Sequence, residues 1–83
     1  MQVGVIGSGY VGLVAAACFA EMGNDVVCVD VDQSKIDKLK KGVIPIYEPG
    51  LSALVRDNFA KDSLKFSIDI NDALSAAEVV FIA

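Results

Sequence analysis

A doubly wound parallel sheet of the α/β class is the fold this sequence predicts, and three observations predict it. Short runs rich in valine and isoleucine alternate with helical patterns along the whole chain. A glycine turn, Gly7-Ser8-Gly9-Tyr10-Val11-Gly12, stands where the first apolar run must bend into the first helix. A second apolar run then closes on an acid, Asp30, about 20 residues beyond that turn.

Composition narrows the class before any motif is used. The chain has 83 residues, enough for at most one domain. A domain of this size buries only a little over roughly 60 % of its unfolded surface, so marginal stability is expected. Hydrophobic residues make up 54 % and charged residues 22 %, which argues against disorder and for a sheet covered on both faces. No apolar run reaches the length of a membrane span, and no basic segment precedes the first apolar stretch, so a cytoplasmic protein is expected. The net charge of −4 leaves no basic face for a nucleic acid, and the absence of histidine removes the usual general base. Cys18 and Cys28 match neither a redox pair nor a zinc spacing, and both read as core residues. No metal site is indicated.

Taken in order, Met1 to Ile6 reads as the first strand, with Gly4 leaving room for another element to come close. From Tyr10 to Met22 the pattern is helical and apolar nearly all round, as in a helix buried between layers, and Gly23 supplies its left-handed stop. Asp25 to Asp30 is the second strand. Asp32 is placed to cap a helix through Ser34, Ile36, Leu39 and Lys41, which Gly42 ends. The run 43–50 cannot be helix at its prolines, yet it is too apolar for an ordinary surface loop and reads as a packed connection. Pro49 suits the first position of a helix whose apolar residues Leu51, Leu54, Val55 and Phe59 recur at helical spacing. Lys61-Asp62-Ser63 breaks that helix. Leu64 to Ile68 is a third strand, Asp69 caps a brief helix through Ile70, Ala73 and Leu74, and Glu78 to Ala83 has the continuous apolar character of a buried parallel strand. Right-handed crossovers then give the order 3-2-1-4 of a Rossmann-type half domain, with an apolar edge on the last strand that invites self-association.

The glycine turn carries the chemistry. Gly7 permits the tight bend, Gly9 lets a pyrophosphate approach the main chain, and Gly12 lets the helix lie close to the sheet. The N–H groups and partial positive charge of a helix start suit a diphosphate without any basic side chain. Three glycines in six residues also make a merely flexible turn, and an acid at a strand end also serves as a cap, so only their joint register points to a dinucleotide. Asp30 is suited to accept both hydroxyl hydrogens of an adenosine ribose and to repel a 2′-phosphate, which favours NAD over NADP. Lys35 lies close enough in sequence to share that ribose, or stands as an ordinary exposed lysine. Such a cofactor is expected across the carboxyl ends of the first and fourth strands, where the strand order reverses.

Three segments resemble the N-terminus of the UDP-glucose/GDP-mannose dehydrogenases. They are Gly7-Ser8-Gly9-Tyr10-Val11-Gly12-Leu13, then Val29-Asp30-Val31-Asp32 with Ser34-Lys35-Ile36, then Pro45-Ile46-Tyr47-Glu48-Pro49-Gly50-Leu51. The likeness covers the whole chain. It implies an enzyme that, at full length, oxidises the primary alcohol of a nucleotide sugar to the carboxylate with two NAD⁺ in succession, through a thiohemiacetal and a thioester on a cysteine. It implies that the backbone around Gly9, Tyr10 and Val11 meets the pyrophosphate, within a cofactor-binding turn that includes Gly7 and Gly12, and that Asp30 with Lys35 holds the ribose. Tyr47 and Glu48 read as structural. By the same resemblance residues 1–83 are the N-terminal part of the NAD-binding domain, with the catalytic cysteine and the sugar site beyond position 83, so this piece alone is expected to be inactive and the full-length enzyme to be a homo-oligomer. Other sugars of the family, GDP-mannose or a UDP-N-acetylhexosamine, stay open, as does a non-enzymatic NAD-sensing module.

Overall fold

In the computed structural model, residues 1–44 and 49–83 are described. Valine and isoleucine, stiff at χ1 and suited to a pleated surface, dominate the strands β1 (Gln2–Ile6), β2 (Asp25–Val29) and β4 (Val79–Ile82), while β3 (Leu64–Ser67) alternates buried and exposed residues. The helices are α1 (Tyr10–Glu21), α2 (Gln33–Lys40), α3 (Pro49–Ala60) and α4 (Ile70–Leu74). All pairings are parallel and the order is β3-β2-β1-β4, as the sequence predicts.

The stops are local chemistry. Gly23 at φ 98° and Gly42 at φ 82° take the left-handed conformation just past α1 and α2, and Asp62 takes it after α3 at φ 62°. Asp32 caps α2 by accepting from the amides of Ser34 and Lys35, and Asp69 caps α4 through the amide of Asn71. β3 ends one residue earlier than the sequence reading placed it, at Ser67.

The parallel register puts Val3, Val26 and Leu64 in one row and Val5, Cys28 and Phe66 in the next. These rows pack against Leu13, Ala16, Ala17 and Ala20 of α1, Ile36 and Leu39 of α2, and Leu51 and Val55 of α3 in one apolar core. Among the described residues the opposite face carries only the five-residue α4, which crosses β1 at Gly4. A Cβ on Gly4 would sit 2.8 Å from the Ala73 carbonyl oxygen, so the missing side chain is what lets that helix in.

Three expectations are corrected. Coverage is unequal, with three helices against one face and one short helix against the other. β4 has no buried residue, because among the described residues it pairs only with β1 and nothing lies along its outer edge. Cys18 is exposed while Cys28 is buried. Position 18 follows Val11 by two helical turns, and both lie on the outward stripe of α1. A helix apolar all round gives no polar face to mark which side is out. The packed connection proposed for 43–50 falls, at positions 45–48 with Tyr47 and Glu48, outside the described residues.

Candidate functional site

β1 delivers the chain into the glycine turn, and the three glycines are held there for different reasons. Gly7 lies at φ 108°, a conformation L side chains rarely adopt, and its N–H donates to the Val29 carbonyl at 2.7 Å, stitching the turn to the end of β2. Gly12 sits one turn into α1, and a Cβ there would overlap the Gly7 carbonyl oxygen. Gly9 is different. It has ordinary extended dihedrals, φ −68° and ψ −173°, and among the described residues a Cβ built on it meets nothing within 4 Å. The fold requires glycine at 7 and 12; at 9 it leaves the main chain bare toward open space.

Gly9 is also the N-cap of α1, and no side chain caps this helix. The first amides of an α-helix have no intrahelical carbonyl to receive them, so a helix start of this kind turns the positive end of its dipole toward that space. Val11 and Tyr10 contribute main chain here. The Tyr10 side chain instead lines a hollow of about 250 Å³ between α1 and α3, with Leu51 and Leu54 opposite.

Asp30 follows the last residue of β2 and is bonded into the turn. Its Oδ2 accepts from the Ser8 hydroxyl at 2.6 Å and from the Ser8 amide at 3.0 Å, and its Oδ1 accepts from the Asp32 amide at 2.9 Å. The Ser8 hydroxyl is the main reason the Asp30 carboxyl sits below its ordinary value; the two amides and the charge of Lys35 add to this, and partial burial opposes it. Burial pushes the Cys28 thiol up to about 12, with the Asp30 charge adding to it, so it is a neutral S–H directed at the Gly7 carbonyl at 3.7 Å.

Beside the turn a cleft of about 620 Å³ opens at the carboxyl ends of β1, β2 and β3. Gly7 and Asp30 stand on its wall, and Val29, Val31, Ile68 and Ile70 make it apolar. It lies on the β2 side of the strand reversal rather than over β1 and β4, because α4 leaves β3 at Ile68–Ile70 and raises a second wall there. Of the residues singled out in the sequence, the structure brings Gly7, Gly9, Gly12 and Asp30 together, with Lys35 in the first turn of α2 near the acid. Ser8 was missed. The glycine fingerprint leaves that position unspecified, and only its 3 % exposure and its two bonds to one carboxylate oxygen mark it. Among the described residues no cluster suited to a metal occurs and no helix is long and apolar enough to cross a membrane.

The Ser8–Asp30 contact has a stability consequence with a definite sign. A carboxyl held below its ordinary 3.8 stabilises the fold above that pH and loses the contribution as pH falls through the lowered value. Ser8→Ala is therefore expected to cost about 1 kcal/mol at neutral pH, a figure reduced for the partial exposure of Asp30. Thermal melts of the two proteins should converge as the medium is acidified below 3.8. A gap independent of pH would mean that the hydroxyl does not act on the ionised acid.

Comparison with known proteins follows the same lines. The family model described as "UDP-glucose/GDP-mannose dehydrogenase family, NAD binding domain" matches residues 1–83. A UDP-glucose 6-dehydrogenase of Rhizobium meliloti is 57 % identical over 83 residues, all of this chain and 19 % of that protein. The UDP-glucose 6-dehydrogenase TuaD of Bacillus subtilis is 56 % identical over 82 residues, 99 % of this chain and 18 % of its own. The crystal structure of a ternary complex of GDP-mannose dehydrogenase from Pseudomonas aeruginosa superposes with a TM-score of 0.93 at 38 % identity, over 100 % of this chain and 19 % of that one. The chain thus spans about a fifth of the length of the relatives it matches.

Proposed function

The chain belongs to the UDP-glucose/GDP-mannose dehydrogenase family, within its NAD-binding domain, and from that premise we propose that the turn and the cleft of residues 1–83 together seat the adenosine diphosphate half of NAD. The observation that carries this reading is the bare main chain at Gly9, where glycine answers no demand of the fold. A diphosphate set there receives the helix-start amides around Gly9, Tyr10, Val11 and Gly12. The apolar cleft next to it suits a flat adenine, and Asp30 on its wall suits the ribose between them, with Lys35 beside it.

NAD supplies the hydride acceptor. The chain's own residues bind and orient it: the turn neutralises the diphosphate, the apolar walls exclude water from the base, and the ionised Asp30 takes a ribose hydroxyl hydrogen. At full length we read the protein as an oxidoreductase that converts the primary alcohol of a nucleotide sugar to the carboxylate with two NAD⁺ and one water. UDP-glucose is the sugar nucleotide named for the relatives with more than half their aligned residues identical. Residues 1–83 are then the first part of its NAD-binding domain, with the sugar site and the nucleophilic cysteine supplied by other parts of the full-length protein.

Asp30→Ala tests the cofactor site directly. It is expected to weaken NADH about 10- to 100-fold, as the loss of a charged acceptor for a buried hydroxyl should. Fluorescence titration of NADH reads this, and superimposable curves for the two proteins would remove Asp30 from the site.

A further inference from the structure

We propose that Ser8 is a positioning residue that clamps the Asp30 carboxylate to the glycine turn and so sets the preference for a dinucleotide with a free 2′-hydroxyl over one bearing a 2′-phosphate. The inference rests on the cofactor reading above and deepens it. A serine on a turn is ordinarily solvated, whereas Ser8 as a residue is 3 % exposed and its hydroxyl gives its hydrogen to one atom, Asp30 Oδ2, which also takes the Ser8 amide. An ionised carboxylate has about four lone-pair sites. Two on Oδ2 are filled by Ser8 and one on Oδ1 by the Asp32 amide, so one direction, on Oδ1, remains for a ligand.

Two consequences follow from that count. Asp30 accepts from one ribose hydroxyl rather than from both, which revises the role its position in the sequence suggests. The carboxylate also cannot turn aside. A 2′-phosphate brought to the end of β2 meets a fixed negative charge whose escape would break bonds from two residues at once. Without the Ser8 hydroxyl, Oδ2 keeps only the amide and the side chain gains rotamers that point away from the cleft. The acid alone supplies the charge; the serine holds it where discrimination happens.

The test compares the affinities of NADH and NADPH for the purified full-length protein and its Ser8→Ala, Ser8→Thr and Asp30→Ala forms, by fluorescence titration. The parent protein is expected to favour NADH. Ser8→Ala should weaken NADH about threefold and tighten NADPH about threefold, so that the preference falls about tenfold, while Ser8→Thr, which keeps the hydroxyl, restores it. Ser8→Ala added to Asp30→Ala should change the preference no further, because the serine acts through the acid. A Ser8→Ala protein that melts lower yet keeps the parent preference would overturn the clamp and leave the cofactor reading standing; a parent protein that binds neither dinucleotide would overturn both. Should Ser8→Ala fail to fold, Ser8→Cys takes its place, its weaker thiol donor shifting the preference the same way by a smaller factor, and an unchanged preference there overturns the clamp equally.

Discussion

Gly9→Val is expected to leave the chain folded and to weaken NADH at least about 100-fold, beyond the range of an ordinary titration. The dihedrals at Gly9, φ −68° and ψ −173°, are open to any residue, and among the described residues the new Cβ meets nothing within 4 Å beyond its own chain neighbours. The cost to the fold is confined to exchanging glycine for a poorer N-cap, about 1 kcal/mol at most. Two methyl groups would instead fill the space from which a diphosphate must reach the first amides of α1. Gly9→Ser sharpens the point. Serine is a better cap than glycine, so this variant should melt no lower than the parent while still obstructing the dinucleotide. Circular dichroism melts beside NADH titrations check both, and a Gly9→Val protein that binds NADH as the parent does would remove the diphosphate from this turn.

Much of this architecture could be read from residues because local and global preferences agree. The valine-rich strands, the glycine and Asp62 stops, and the Asp32 and Asp69 caps are each decided by a side chain or a backbone freedom within a few positions. Their order follows from chirality once the strands are located. The errors came where a neighbour distant in sequence decides. Cys18 is exposed beside the hollow that α1 shares with α3, and an all-apolar helix carries no mark of which stripe the neighbouring helix leaves uncovered. β4 reads as a buried strand by composition, yet burial depends on what lies on its outer edge.

The candidate site divides in the same way. Gly7, Gly9, Gly12 and Asp30 form a pattern whose spacing has a mechanism, so they could be named in advance. What spacing could not say was which glycine serves the fold and which serves a ligand. That needed the environment of each missing Cβ: backbone at Gly7 and Gly12, open space at Gly9. Nor could it find Ser8, whose significance lies in a bond across 22 positions to a strand end. The cleft on the β2 side of the reversal was hidden for a related reason, since it takes its second wall from the exit of β3 into α4.

Gly12→Ala is expected to do the reverse of Gly9→Val, destroying the fold rather than the affinity alone. Its Cβ would overlap the Gly7 carbonyl oxygen, with the Gly7 carbonyl carbon at 2.9 Å and the Ala83 Cβ at 3.2 Å. Relief requires the turn to move, and the turn is pinned: Gly7 is at φ 108°, its N–H is bonded to Val29, and its carbonyl receives the Cys28 thiol. Nor can α1 lift away without uncovering Leu13 and Ala16, which are fully buried against β1 and β2. Overpacking against backbone of this kind costs about 3 kcal/mol or more. Against the roughly 5 to 15 kcal/mol by which folded domains are ordinarily stable, a cost of that size is a large share. The expected result is a melting temperature lower by at least about 6 °C, or no cooperative transition. A Gly12→Ala chain that melts like the parent would show that the turn can yield, and the division of labour between Gly9 and Gly12 would then fail with it. Position 12 therefore answers to the helix and position 9 to the ligand, although in the sequence both are only glycine.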